Sequence, residues 1–241
     1  MYLFDYSIEE ELSRKTNSLS YLLCEVVEMH EAKKWYIDQK ISRTLAALEK
    51  NGFQTFFASS GKDALEKVLT LIPPRAKVGI GGSVTVREIG LIEALSARGN
   101  PVFHHWQKGI SSEEITTIMK QELNSDVFIT SSNAVTEDGK LVNTDQTGNR
   151  VASMIFGPQK VIVIAGINKI VRDVTEGIQR IKNVATPMNS KRLGQKTPCA
   201  TIGTCTECDA PDKSCRVTTI IEKKPIKTDI IVILVGEELG F

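Results

Sequence analysis

Between Ser131 and Gly166 the chain packs two apolar runs around a glycine turn, then a polar cluster, a short apolar helix and a third apolar run. Asp138-Gly139 lies between segments rich in β-branched residues, and glycine accepts the positive φ that tight hairpin turns require. Past the second strand, Asn143, Thr144, Asp145, Thr147, Gly148, Asn149 and Arg150 lead into the helix. Val161 to Ala165 is a continuous apolar run, the pattern of a strand buried on both faces in a parallel sheet. So much polarity beside buried elements marks a candidate site.

The rest of the chain alternates in the same way. Trp35, Ile41, Leu45 and Leu48 have helical spacing that ends at Asn51-Gly52. Strands are expected at 53–58, 77–80, 102–104, 126–130, 217–222 and 229–235, and helices at 61–71, 86–98, 112–122 and 174–184. Residues 186–216 read as a loop of Pro, Gly, Thr and Cys. This order predicts an α/β fold, a mainly parallel sheet covered by helices, with a β-hairpin insertion and a Cys-rich loop near the C-terminus. Residues 1–28 read as an N-terminal extension, disordered or helical, and 29–241 as a single α/β domain that includes the Cys-rich loop 197–216.

Charge narrows the partners. The formal net charge is +1 and the basic residues are scattered, so no bulk field argues for nucleic acid or an anionic membrane. No apolar run reaches the roughly 20 residues of a membrane span. Met1 to Glu11 is acidic where a secretory signal would be basic and then apolar, and a cytoplasmic location follows as the expectation.

Gly79-Ile80-Gly81-Gly82-Ser83 joins a strand to a helix. Unpaired N–H groups at a helix N-terminus bind anions when glycines let the ligand approach, and Ser83 or Thr85 can add a hydroxyl. The same residues also suit a tight turn without a ligand. The loop is neither G-x-G-x-x-G nor a Walker loop, so no nucleotide cofactor is evident. Downstream, Asn143, Thr144, Asp145, Thr147, Asn149 and Arg150 can wall a phosphate or carboxylate, with Arg150 as bidentate partner. Alternatively, Asp145 pairs with Arg150 and Thr147 caps the helix.

Of five cysteines, Cys24 stands alone, while Cys199, Cys205, Cys208 and Cys215 crowd one loop-like stretch. Four thiolates suit tetrahedral zinc or an iron–sulfur cluster. The spacing matches neither a zinc ribbon nor the ferredoxin run, and a redox disulfide or free thiols remain alternatives. His104 and His105 on one strand point to opposite faces and do not chelate one ion together.

Three motifs together, Gly-Ile-Gly-Gly-Ser at 79–83, Asn-Ala-Val-Thr-Glu-Asp-Gly-Lys-Leu-Val-Asn at 133–143 and Thr-Gly-Asn-Arg-Val-Ala at 147–152, resemble the LUD (lactate utilization, formerly DUF162) domain family. Gly166-Ile-Asn168-Lys-Ile-Val171 resembles it too. More distantly, the layout is similar to the superfamily of ribose-phosphate isomerases, methylthioribose-phosphate isomerases and CoA-transferases. The resemblance implies a Rossmann-like sheet in which the glycine loop (Gly81, Gly82, Ser83, Thr85) and the segment after the hairpin face one cleft, together with Asn133 and Asn168. It also implies a small carboxylate or phosphate metabolite as ligand, an association with lactate oxidation to pyruvate, and partner subunits for that process. One such partner carries iron–sulfur clusters, and a homo-oligomer stays open.

In the isomerases of that superfamily an aspartate before the hairpin moves the proton. The aligned residue here is Asn133, and an amide is no general base. Glu137 and Asp145 are then the candidate catalytic carboxylates of an isomerase-like or CoA-transferase-like enzyme, Glu137 as the nucleophile the latter needs. A third reading is a metal-containing or iron–sulfur redox accessory subunit built on the four cysteines.

Overall fold

The computed structural model describes residues 30–241; the extension expected at residues 1–28 lies outside them, as does Cys24. Two compact units are distinguished, one ending at Gln39 and one running from Lys40 to Phe241. The account below concerns the second.

In chain order the elements are α1 (Glu31–Lys50), β1 (Gln54–Ala58), α2 (Gly61–Leu71), β2 (Val78–Ile80), α3 (Val84–Glu88), α4 (Leu91–Ala97), β3 (Val102–His104), α5 (Ser112–Leu123) and β4 (Val127–Thr130). There follow β5 (Ala134–Thr136), β6 (Leu141–Asp145), α6 (Asn149–Ile155), β7 (Lys160–Gly166), β8 (Ile170–Val171), α7 (Val174–Arg180), α8 (Thr186–Arg192), α9 (Pro198–Ile202), β9 (Val217–Ile221) and β10 (Asp229–Val235).

Six strands form one parallel sheet in the order β1-β10-β7-β4-β2-β3. Its inner strands carry the continuous apolar runs. In β7, Val161, Ile162, Val163, Ile164 and Ala165 are fully buried, and in β10 so are Ile230, Val232, Ile233, Leu234 and Val235. Each such Val, Ile or Leu contributes about 1.5–3 kcal/mol when taken out of water. Ala64 and Val68 of α2 and Leu91 and Leu95 of α4 pack with Ile80, Ile129 and Ile162 in the main core.

The expected hairpin is present, but as part of a second, mixed sheet ordered β8-β5-β6-β9. β5 and β6 pair antiparallel around Asp138-Gly139, while β5 pairs parallel with β8 and β6 antiparallel with β9. Gly139 has φ +83, and a Cβ there would come within 2.4 Å of the Ala47 backbone carbon, so the turn sits directly on α1. Only glycine meets both demands.

Two expectations are corrected. The helix expected over 86–98 is broken at Ile89-Gly90 into α3 and α4, because Gly90 adopts φ +70. The loop expected from 186 instead begins with helix: α7 continues through a π-helical turn, Ile181–Ala185, into α8, and α9 follows. Pro187 falls in the first turn of α8, where a missing N–H is harmless.

Candidate functional site

The strand order fixes where a site can form. From β2 the chain passes to β3 on one side, and β4 then returns to pair on the other side of β2. The segments leaving the C-terminal ends of β2 and β4 therefore part, and in open α/β sheets ligands bind in that crevice. A cavity of about 130 Å³ lies there, lined by Gly82 and Ser83 after β2 and by Ser131, Ser132 and Asn133 after β4. Thr144 and Asp145 from the end of β6, Arg150 from α6 and Lys169 after β7 complete its polar wall, with Trp106 and Phe241 as aromatic surface. The glycine bend and the segment after the hairpin thus border one cavity.

Arg150 is 8% exposed, and its guanidinium is fully committed. Its Nε donates to Asp145 Oδ1 at 2.9 Å, Nη1 to Asn143 Oδ1 at 2.6 Å and to the Ser131 carbonyl at 2.9 Å, and Nη2 to Asn133 Oδ1 at 3.0 Å and to the Thr144 carbonyl at 3.2 Å. A guanidinium has five N–H donors, and these partners use all of them. Arg150 is therefore a strut that fixes three strand ends and not the bidentate ligand clamp expected from the sequence.

Asp145 is equally occupied: its second oxygen accepts the Val151 N–H at 3.0 Å and so caps α6. That role was expected of Thr147, but the N-cap is Gly148 at φ +89 and no side chain at that position bonds the helix. Both carboxylate oxygens of Asp145 are therefore engaged within the protein.

Lys169 supplies the charge the cavity presents. It is 2% exposed, and its ammonium donates to Thr85 Oγ1 and to Ser131 Oγ, each at 2.8 Å. Burial first, then the positive fields of Arg180 and Arg150, push its pKa from 10.5 down to about 7, with Glu88 acting in the opposite direction. Arg180 itself donates to the backbone carbonyls of Asn133 and Asn168, and burial lowers its pKa. Lys169 stands in the Gly-Ile-Asn-Lys motif, but a lone lysine carries no sequence signal of burial.

The glycine loop contributes less than the helix-dipole argument predicts. α3 is five residues long, and the Ser83 hydroxyl is used to cap it, accepting the Val86 N–H at 3.3 Å. Gly82 matters for space, since a Cβ there would meet Trp106 Nε1 at 2.8 Å and His105 Nε2 at 3.2 Å. Arg87 and Arg192 cover the Trp106 ring at 5.0 and 4.2 Å. His105 Nδ1 lies 2.7 Å from an oxygen of Glu122, a buried carboxylate that also receives the His105 N–H and holds the ring in place. Gly81 lies behind the wall, where a Cβ would press on Phe128 and Arg150.

The other expected residues stand around the cavity without lining it. Asn143 is buried and bonds the Asn133 N–H and Arg150, while Asn133 in turn accepts the Thr144 N–H. Asn168 bonds the backbone of Leu239 and Gly240, and Asn149 reaches Glu122 at 3.5 Å. Glu137 does not line the cavity: Arg43 holds it at 3.0 Å and Lys40 lies at 3.8 Å. The geometry gives neither Glu137 nor Asp145 the free carboxylate that a nucleophile requires.

The sequence model of the LUD domain matches residues 41–235. The chain belongs to the LUD-domain family. Among solved structures, this LUD domain is similar to a DUF162 family protein from Deinococcus radiodurans, with a TM-score of 0.51 and 14% identity over 83% of this chain and 98% of that one. That likeness is one of fold. Also similar, at a TM-score of 0.31, is eIF2B delta from Chaetomium thermophilum, 16% identical over 61% of this chain and 55% of that one. No curated protein matches the chain. Among the described residues, no helix of the LUD domain is long and apolar enough to cross a membrane.

Cys199, Cys205, Cys208 and Cys215 are free thiols that line a second cavity. Among the described residues, no group of three or more His, Cys, Asp or Glu side chains is arranged to hold a metal ion.

Proposed function

We propose that this LUD domain binds a small anionic metabolite, a carboxylate or phosphate, in the crevice beyond β2 and β4, with Lys169 as its charge partner and lactate utilization as its setting. The observation that carries this reading is the Lys169 ammonium, buried at the cavity wall with hydroxyl partners and two nearby guanidinium groups. A buried charge is costly unless paired, and an entering anion supplies the missing pair. Asp145, the carboxylate in the wall, is consumed by Arg150 and does not neutralise it. Ser83, Asn133 and Thr144 add polar groups around the guest. Trp106 and Phe241 suit the short carbon skeleton of lactate or pyruvate.

The test is calorimetric titration of the protein with lactate, pyruvate and inorganic phosphate, beside the Lys169→Met variant. Saturable binding of one of these anions that weakens sharply in the variant is the expected result. Failure of every anion to bind the folded wild-type protein removes the reading.

A further inference from the structure

β2 and β3 run parallel with Ile80 opposite His104, so the residues that follow them, Gly81-Gly82 and His105-Trp106, leave the sheet side by side. Gly82 and Trp106 both line the crevice cavity. The point a Cβ would occupy at Gly82 is 2.8 Å from Trp106 Nε1 and 3.2 Å from His105 Nε2, which sets both ring nitrogens against this stretch of the wall. Any side chain at position 82 would push the two rings away.

His105 is held more firmly than packing alone requires. Glu122, in the last turn of α5, is 1% exposed, and one of its oxygens accepts the His105 backbone N–H at 3.0 Å and lies 2.7 Å from Nδ1. Asn149 reaches the other oxygen at 3.5 Å. A carboxylate is buried at a cost unless its bonds are used, and here they fix one imidazole by its backbone and its ring. An ionised carboxylate only accepts, so Nδ1 carries the proton and the neutral ring presents its lone pair at Nε2. Among the described residues neither Nε2 nor Trp106 Nε1 has a hydrogen-bond partner, and the His105 side chain is 14% exposed.

A proton acceptor and an indole N–H donor therefore stand together beside Gly82, while the Lys169 ammonium belongs to the same cavity. Removal of a proton next to a carbonyl group calls for this set: a cation for the carboxylate, a donor for the oxygen on which charge develops, and a base for the C–H proton.

We propose that the crevice enolises a 2-oxo acid, with His105 as the general base and Glu122 as its positioning residue; the proposal rests on the anion reading above. His105 Nε2 takes a proton from the carbon next to the carbonyl. The C–H electron pair becomes the second bond of the enolate C=C, and the carbonyl oxygen takes the negative charge beside the Trp106 N–H. Return of a proton from the imidazolium regenerates the ketone, so in heavy water the net change is replacement of that hydrogen by deuterium.

The experiment follows the methyl signal of pyruvate by proton nuclear magnetic resonance in heavy water with the full-length protein, beside calorimetric titration of the same samples. Expected is a loss of that signal which saturates with pyruvate and outpaces the buffer alone. His105→Gln should slow the exchange by about 100-fold or more, the usual contribution of a general base. Added imidazole should restore part of the rate to this variant and leave the wild type unchanged, a rescue that a misfolded protein does not show. Glu122→Gln should lower the rate at saturation while the half-saturating pyruvate concentration holds. Pyruvate that binds the wild-type protein without exchanging faster than in buffer overturns the proposal, as does exchange that His105→Gln leaves intact. If lactate or phosphate binds and pyruvate does not, the anion reading stands and the enolisation falls; if no anion binds, both fall.

Discussion

Lys169 Nζ donates a hydrogen bond to Ser131 Oγ across 2.8 Å, tying the segment after β7 to the segment after β4 at the mouth of the crevice. These strands are neighbours in the sheet, in register from Val127 opposite Lys160 to Thr130 opposite Val163. The bond therefore sets the width of the site with little freedom to change.

Replacement of Lys169 by Met should lower the affinity for the bound anion by about 10- to 100-fold, the loss of one charge-assisted hydrogen bond of roughly 1.5–3 kcal/mol. Titration calorimetry with pyruvate checks this. The variant should stay folded, because an apolar side chain of similar length replaces a buried charge.

The same lysine makes stability depend on pH. Its pKa falls from 10.5 to about 7 on folding, so between those values the unfolded chain holds a proton that the folded chain releases. Stability then rises as pH increases from about 7 toward 10.5, the sign required when the unfolded state binds more protons. Urea denaturation across that window should show the slope, and Lys169→Met should flatten it. Pyruvate affinity should run in the other direction, falling as pH passes upward through about 7, because the neutral amine no longer attracts the carboxylate.

Asp145→Ala strands a buried guanidinium and uncaps α6 at once. Breaking a buried pair from one side costs about 3–5 kcal/mol, and the midpoint of chemical denaturation should report it. A drop below about 1 kcal/mol would show that Arg150 finds other partners.

Glu137→Gln should leave pyruvate binding unchanged and cost less than about 1 kcal/mol, since its ion pairs with Arg43 and Lys40 are partly exposed. A large loss of binding in this variant would return Glu137 to the site.

Gly139→Ala should destabilise by more than about 1 kcal/mol, as alanine is strained at φ +83 and its Cβ would strike the Ala47 backbone. Thermal unfolding of the variant beside the parent measures it.

The sequence by itself determined the class of fold. Apolar runs such as Val161–Ala165 have one economical solution, a covered parallel strand, and Asp138-Gly139 between β-branched runs has one as well, a hairpin. That the glycine bend and the segment after the hairpin meet at one crevice was implied by the resemblance to the LUD family, and the strand order that brings them together is visible only in the folded sheet. Tertiary structure alone decided what each side chain does there. Arg150 reads as a ligand clamp until its five donors are counted against Asp145, Asn143, Asn133 and two carbonyls, and no sequence pattern marks Lys169 as buried, though the packing leaves it 2% exposed. Local patterns encode which residues are apolar and where the chain turns. The charge state and bonding of a buried polar group depend on residues distant in sequence, such as Thr85 and Ser131 around Lys169, and only the folded sheet brings them within reach.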